Sequence, residues 1–593
     1  MNCLPMRKIA PSSFPSRRQV LAATLRAAIG LILPRGEFCS ALTASPPSGT
    51  LPGGLPSPSS IRFEEVARKS GLNFTTRNCA TPNKNQIETM VAGVALLDYD
   101  GDGYLDIYLV NGAEIPSLEK SSPAYWNRLF HNNGDGTFTD MTEKAGVAGT
   151  GYGMGVAVGD YDNDGRPDIF IANVTGNQLL HNNGDGTFTD VTAKAGVAGA
   201  THNGKKMWSV GGGWFDYNRD GLLDLFVVNY CQWEVNRDPY CALKEGLRAY
   251  CHPNKYGPLY NTLYRNNGDG TFTDVSHETG IDAFWGKGMG VSFADYDGDG
   301  FPDAFVTNDT MPNFLLHNIG GKRFEEVAVA AGVAYSPDGN ALSSMGSDFK
   351  DVNNDGRPDI WHTAVEHEDF PLYLNQGKGI FIDSTFPSGL GVLTNRMTGW
   401  SNGIFDFDND GWKDLFVARA NVMDNIQEAI PAESYPEPNS IFRNLGNGKF
   451  EEVGNLAGPD FQIPGAHRGV AFGDIDNDGR IDAIVTVLNG PVKLFHNVTD
   501  NGHHWILLRL VGTKSNRMGL GAQIRLTTDD GRTQWNEATT AVGYACSSDP
   551  RIHFGLGASH TIRELEVIWP SGTRQVLHDV KADEILTVEE PKA

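Results

Sequence analysis

Short apolar runs recur along this chain, and each follows an acidic turn. Ile107-Tyr-Leu-Val110 and Leu225-Phe-Val-Val228 are two of them, and their composition predicts strands. A second pattern accompanies the first. Leu129-Phe-His-Asn-Asn-Gly-Asp-Gly-Thr-Phe-Thr-Asp140 predicts a strand, a tight glycine turn and another strand. It returns with variations at Leu179, Leu263, Leu315, Leu372 and Ile441, and Phe-x-[DE]-Val with a later Gly follows in most copies. The repeat period is about 55–80 residues, the length of one four-stranded propeller blade. The seventh copy stops at Leu494-Phe-His-Asn497 and lacks its Phe-x-[DE]-Val strand. That strand stands at the start instead, as Phe63-Glu-Glu-Val66 followed by Gly71. An N-terminal strand completing the last blade closes the ring and removes open edges. The pattern therefore predicts an all-β chain with a seven-bladed β-propeller over residues 61–500. Beyond it, Ile506-Leu-Leu-Arg-Leu and Gln523-Ile-Arg-Leu alternate apolar and polar residues. They predict a small β-sandwich-like domain over residues 503–590.

The acidic turns carry the chemistry. Asp98-Tyr-Asp-Gly-Asp-Gly-Tyr-Leu-Asp106 puts four carboxylates into nine residues, and like charges that close repel. The pattern D-x-[DN]-x-D-G-x-x-D occurs seven times. Its candidate ligands are Asp98, Asp100, Asp102 and Asp106; Asp160, Asp162, Asp164 and Asp168; and Asp216, Asn218, Asp220 and Asp224. The later copies give Asp295, Asp297, Asp299 and Asp303; Asp351, Asn353, Asp355 and Asp359; Asp406, Asp408, Asp410 and Asp414; and Asp474, Asp476, Asp478 and Asp482. Side chains at positions 1, 3, 5 and 9 can converge, and the glycine at position 6 permits the sharp turn. A hard cation with six to eight oxygen ligands suits this set, so Ca²⁺ is the expected occupant and offsets the repulsion. An EF-hand is excluded, because Leu109 stands where its bidentate glutamate belongs and the flanks are not helical.

Composition changes the picture in three places. The chain of 593 residues is too long for one ordinary core, so at least two domains are expected. A formal charge of −24 argues against nucleic acid and anionic membrane as partners. One Ca²⁺ per loop brings it to about −10. The N-terminus, residues 1–41, predicts export: Ser16-Arg17-Arg18-Gln19-Val20-Leu21 is twin-arginine-like and precedes an apolar run to Leu33, interrupted by Arg26. The alternative is an uncleaved anchor or a wrong start codon. Residues 42–60 are Pro/Ser/Gly-rich and predict a flexible linker. No other stretch is long and apolar enough to span a bilayer, so no integral membrane domain is expected.

With those motifs in place, a resemblance can be named. The repeats resemble the FG-GAP/VCBS repeats of integrin-type propellers. Residues 503–590 resemble the ASPIC/UnbV domain through Trp505-Ile-Leu-Leu, Gly519-Leu-Gly-Ala, Asp549-Pro-Arg-Ile-His-Phe-Gly-Leu-Gly557 and Val567-Ile-Trp-Pro-Ser-Gly572. Cys546-Ser-Ser stands where the family has Ser-Gln. Together they resemble the cartilage acidic protein family in its bacterial form. The resemblance implies an exported calcium-binding scaffold. It also implies calcium loops on one face and the connections between second and third strands on the other.

Those connections differ in length, and binding is expected where the variation is. The stretch from Asn229 to Tyr260 is about thirty residues, long for a loop. It carries Cys231, Cys241 and Cys251 with His252. A Cys241–Cys251 disulfide suits an exported protein; a Cys/His metal site or free thiols are the alternatives, and Cys231 could pair with Cys79. Five residues before each loop stands Gly93, Gly155, Gly211, Gly290, Gly346, Ser401 or Gly469, small enough for seven strands to crowd an axis. Met154, Met289, Met345, Trp400 and Arg468 come one position earlier, as packing or, less often, as a soft-metal ring. Glu88, Lys206, Lys287, His467 and Arg468 near the same strand starts are expected to be solvated loop charge, with a polar central pocket as the alternative. No Gly-x-Ser-x-Gly or His-Glu-x-x-His occurs, and Gly199-Ala-Thr-His-Asn-Gly-Lys205 fails as a phosphate loop because Lys206 follows. The favoured expectation is an exported scaffold binding a protein or glycan through its insert-bearing face. The alternative is an enzyme at the propeller axis with a second metal.

Overall fold

The computed structural model describes residues 61–592, so the segments expected to be an export signal and a linker lie outside the described residues. The repeats form seven four-stranded antiparallel sheets, each a propeller-like blade. Blade 1 runs Val94–Leu97, Asp106–Leu109, Arg128–Asn132 and Phe138–Asp140, and blades 2 to 6 repeat that order outward. The seventh sheet takes its outer strand from the start of the chain: Phe63–Glu65 pairs with Lys493–Asn497, Phe63 opposite Asn497. The innermost strand of each blade touches that of the next, and the seventh's touches the first's. The second strands are largely apolar between their polar ends, as in Asp168–Asn173, where Ile169 to Ala172 are apolar and every residue is buried.

The chain after the ring builds two further sheets. Ile552–Gly557, His504–Val511 and Glu584–Glu589 form one, and Thr533–Glu537, Gln523–Thr528, Thr561–Ile568 and Arg574–Lys581 the other. Ile506, Leu508, Ile524, Leu526, Leu565 and Trp569 share one core between them, as the alternating pattern predicts.

Sequence gives no hint of where this domain goes. It covers the face that carries the acidic loops. Arg517 N–H donates to Asn163 Oδ1 (2.8 Å), Arg219 Nε to the Pro570 carbonyl (2.7 Å) and Gln523 Nε2 to Asp295 Oδ2 (2.9 Å). Lys413 Nζ bridges the Asp351 and Trp535 carbonyls, each at 2.9 Å, and Arg551 Nη1 donates to Asn477 Oδ1 at 2.7 Å. Loop 1 faces the domain across a cavity of about 480 Å³ lined by Asp98, Arg509 and Arg551.

One segment, residues 540–549, leaves the domain and enters the ring. Its backbone pairs with innermost strands of several blades. Ser547 N–H donates to the Val94 carbonyl (3.1 Å), Gly543 N–H to Ser347 O (2.8 Å) and Asp549 N–H to Phe472 O (2.9 Å). The carbonyls of Ser547 and Ala545 accept from Leu96 (3.0 Å) and Val156 (3.1 Å). The axial small residues make room for this segment as well as for one another. A Cβ on Gly155 would lie 2.9 Å from Ala545 Cβ, and one on Gly290 2.8 Å from Gly543 O. Tyr544 reaches furthest: its hydroxyl donates to the Met90 carbonyl at 2.9 Å and its ring lies 5.6 Å from that of Trp400.

On the opposite face the inserts meet one another. The long insert forms a hairpin, Cys241–Lys244 with Leu247–Ala249, closed by a Cys241–Cys251 disulfide. Asn425 Nδ2 of the blade 6 insert donates to the Arg248 carbonyl (2.9 Å), and Lys84 pairs with Asp424 at 2.6 Å. Cys79 and Cys231 are free thiols, so the pairing considered for them is not made. The disulfide closes a loop with a sequence separation of 10, worth about 2–3 kcal/mol by chain entropy. Reduction is expected to expose the hairpin to protease while the main thermal melt stays in place. Loss of the whole cooperative melt on reduction would contradict that.

Candidate metal centre

Each acidic loop joins the innermost strand of a blade to the next strand. Position 6 is a glycine at positive φ in all seven, for example Gly103 at 92° and Gly165 at 89°. Position 4 is left-handed too, which explains Gly101, Asn163, Asn354, Asn409 and Asn477 there; Arg219 adopts it at φ 60°. This second requirement was not drawn from the sequence.

The carboxylates divide by position. Position 1 accepts backbone N–H groups of its own turn: Asp160 takes those of Asp164 (3.0 Å) and Gly165 (2.8 Å). Position 9 is buried at the strand start. Asp106 accepts from Tyr99 N–H (3.1 Å) and Asn132 N–H (2.8 Å), tying the loop to the third strand. Positions 3 and 5 are the open members, except in blade 6, where Asp408 is buried. In blades 1, 2, 4 and 7 they meet a histidine on the third strand. The groups Asp100, Asp102, His131; Asp162, Asp164, His181; Asp297, Asp299, His317; and Asp476, Asp478, His496 each bring three ligand atoms within 4.8 Å of one another. The histidine was not singled out from the sequence, though it stands in the repeated Phe-His-Asn or Leu-His-Asn. The other three loops differ. In blades 3 and 5 Asn218 and Asn353 donate from Nδ2 to Asp220 Oδ2 (2.9 Å) and Asp355 Oδ2 (3.2 Å). In blade 6 Arg443 pairs with Asp408 (3.0 Å) and Asp410 (3.4 Å).

Burial works against these charges. It pushes the Asp106 and Asp474 carboxyls up to about 8, and Asp160, Asp216 and Asp303 to about 7. The Asp482 hydrogen bond lifts His496 to about 9. Asp224 Oδ2 and Asp408 Oδ1 are buried without a partner. Clustered, desolvated, incompletely paired oxygens fit a divalent cation, which supplies the missing charge and ligand contacts.

The axial residues are placed otherwise than expected. Glu88, Lys287, His467 and Arg468 are buried, not solvated; Lys206 alone is exposed, in a short hairpin. Glu88 accepts from Asn85 and Thr81, and Arg468 Nε donates to Thr89 O (2.8 Å) while its guanidinium stacks 3.9 Å from the Trp400 ring. Met154 packs in the core. Met289 and Met345, with Met90 and Trp400, line an axial cavity of about 250 Å³ that opens among the inserts.

Loop geometry and blade order define a class, and sequence models agree with it. The chain belongs to the FG-GAP-like repeat family, whose model matches residues 98–171, 160–227, 253–306, 295–362, 351–417 and 406–485, and the ASPIC and UnbV model matches residues 512–593. Cartilage acidic protein 1 is a distant homologue. The Mus musculus protein is 27% identical over 521 residues, covering 84% of this chain and 73% of the relative. The Homo sapiens protein is 27% identical over 520 residues, covering 84% and 71%. Among solved structures, an Agrocybe aegerita lectin that recognises non-reducing terminal N-acetylglucosamine is 18% identical at a TM-score of 0.37, over 61% of this chain and 79% of that one. A Bacillus licheniformis rhamnogalacturonan lyase is 13% identical at 0.35, over 78% of each. Likeness at these scores carries nothing about activity.

Proposed function

We propose that the chain is an exported, seven-bladed, calcium-binding β-propeller that binds a protein or glycan partner through its insert-bearing face. One observation carries the reading: the C-terminal domain occupies the acidic-loop face, so the opposite face, where the long inserts meet, is the one left for a partner. Calcium braces each blade by joining the loop to the strands that position 9 already ties together. The Cys241–Cys251 disulfide supports an oxidising compartment. No helix among the described residues is long and apolar enough to cross a membrane.

Elemental analysis of the purified protein tests this. About one calcium per loop is expected. Asp299→Ala, which removes an open ligand of blade 4, is expected to lose a single ion and leave the others bound. A wild-type protein without calcium, or a variant that loses every ion, would contradict independent loop sites. A second reading, an enzyme with its site at the axis, is favoured by the axial cavity lined by Glu366, His367 and Glu433.

A further inference from the structure

That cavity holds a cluster unrelated to the acidic loops. Glu366 and His367 lie in the connection between the second and third strands of blade 5, and Glu433 in that of blade 6. One ligand atom from each lies within 4.8 Å of the other two. Among the described residues neither glutamate forms an ion pair with a lysine or arginine, while Arg419 pairs with Glu437. Two carboxylates from separate loops therefore face each other, with the charges of His367 and Arg396 nearby, and a cation would offset the repulsion between them.

The cluster is held from behind. Thr398 Oγ1 accepts the Glu366 N–H (3.1 Å), the Asn395 carbonyl accepts the His367 N–H (2.8 Å), and Asn421 Nδ2 donates to Glu433 Oε2 (3.3 Å). The first two bonds fix the backbone of the blade 5 connection, and the third orients the Glu433 carboxylate itself. A second observation points to an occupant. Gln86 lines the same cavity and is 3% exposed, yet its Oε1 has no partner. A buried acceptor of this kind calls for a donor, such as water or a hydroxyl held on an ion.

We propose that Glu366, His367 and Glu433 form a second class of metal site, taking one borderline divalent ion such as Mn²⁺, Fe²⁺ or Zn²⁺. Two carboxylates and an imidazole suit those ions, whereas Ca²⁺ asks for six to eight oxygens. Three protein ligands leave coordination positions open, and the cavity lies beside them. Its floor of Met289, Met345 and Trp400 accepts an apolar body. The ligand class is a small molecule that presents an oxygen to the ion. The site deepens the reading of the insert face as the binding face, but uses none of the calcium-loop residues.

The test titrates Mn²⁺ into the full chain in saturating Ca²⁺ and follows free Mn²⁺ by electron paramagnetic resonance, with Zn²⁺ as competitor. One extra equivalent is expected, with the calcium content unchanged and Zn²⁺ displacing it. The Glu366→Gln/Glu433→Gln double variant is expected to bind Mn²⁺ at least about tenfold more weakly while keeping its calcium. His367→Ala, at an exposed position, gives the same result without risk to the core. Failure of both Mn²⁺ and Zn²⁺ to bind beyond the calcium sites, or binding unchanged in these variants, overturns the site. Loss of calcium in wild type would instead count against the scaffold reading.

Discussion

Stripped of divalent ions by dialysis at about pH 8, the protein is expected to melt at least about 10 °C lower than with calcium. An ion that binds only the folded state stabilises it by about 2.7 kcal/mol at a hundredfold excess over its Kd. A few such ions together rival the typical total of about 5–15 kcal/mol. Stripping also leaves the loop carboxylates buried without their counter-charge. Burial then holds Asp106 and Asp474 at about 8 and Asp160, Asp216 and Asp303 at about 7. An unfolded aspartate titrates near about 3.9. The folded form therefore binds more protons between those values, and its stability is present below about pH 4 and lost as pH rises through 7 and 8. The stripped protein is expected to melt higher at about pH 5.5 than at about pH 8. The calcium-loaded protein should do the reverse, because protons and calcium compete for the same oxygens. Differential scanning calorimetry of both forms at both pH values decides it. An unchanged melt after proven calcium removal would sink the structural role of the loops.

Gly543→Val is expected to release the C-terminal domain from the ring. Gly543 sits at φ +76°, where a β-branched residue is strongly disfavoured. A Cβ there would collide with Ser401 Oγ and lie 2.7 Å from the Asn402 carbonyl. The Asn402 carbonyl cannot yield, since it belongs to an innermost strand, and turning Ser401 Oγ away would break the bond it accepts from the Tyr544 N–H (2.9 Å). Moving the segment breaks the paired bonds between Gly543 and Ser347 and withdraws Tyr544, fully buried beneath Met90 and Trp400. Loss of that ring from its packing alone costs about 3–5 kcal/mol. The expected readout is two separate thermal transitions and new proteolysis in residues 498–503. A single transition at the wild-type temperature, with those residues still protected, would show that the segment is not what holds the two parts together.

The period of the apolar runs, the position of Phe63-Glu-Glu-Val66 and the seven acidic turns were all legible, because each depends on neighbours in sequence. A strand's face, a turn's dihedrals and a loop's own ligands are local facts. So was the likelihood of a Cys241–Cys251 bridge, whose partners are close in the chain. The axial charges were misjudged for the opposite reason. Arg468 looks like a loop cation, yet Thr89 and Trp400, from distant parts of the chain, bury it. The axial glycines were rightly seen as making space, but at Gly155, Gly211, Gly290 and Gly469 residues 543–546 help to fill it.

What the sequence determined by itself was the blade, its acidic loop and the number of copies, since these follow from short-range periodicity and turn chemistry. What only the tertiary structure decided was which face is covered, what plugs the axis, and which residues of different blades meet at Glu366, His367 and Glu433. Closing a ring brings residues hundreds of positions apart into contact, and no local pattern records which ones.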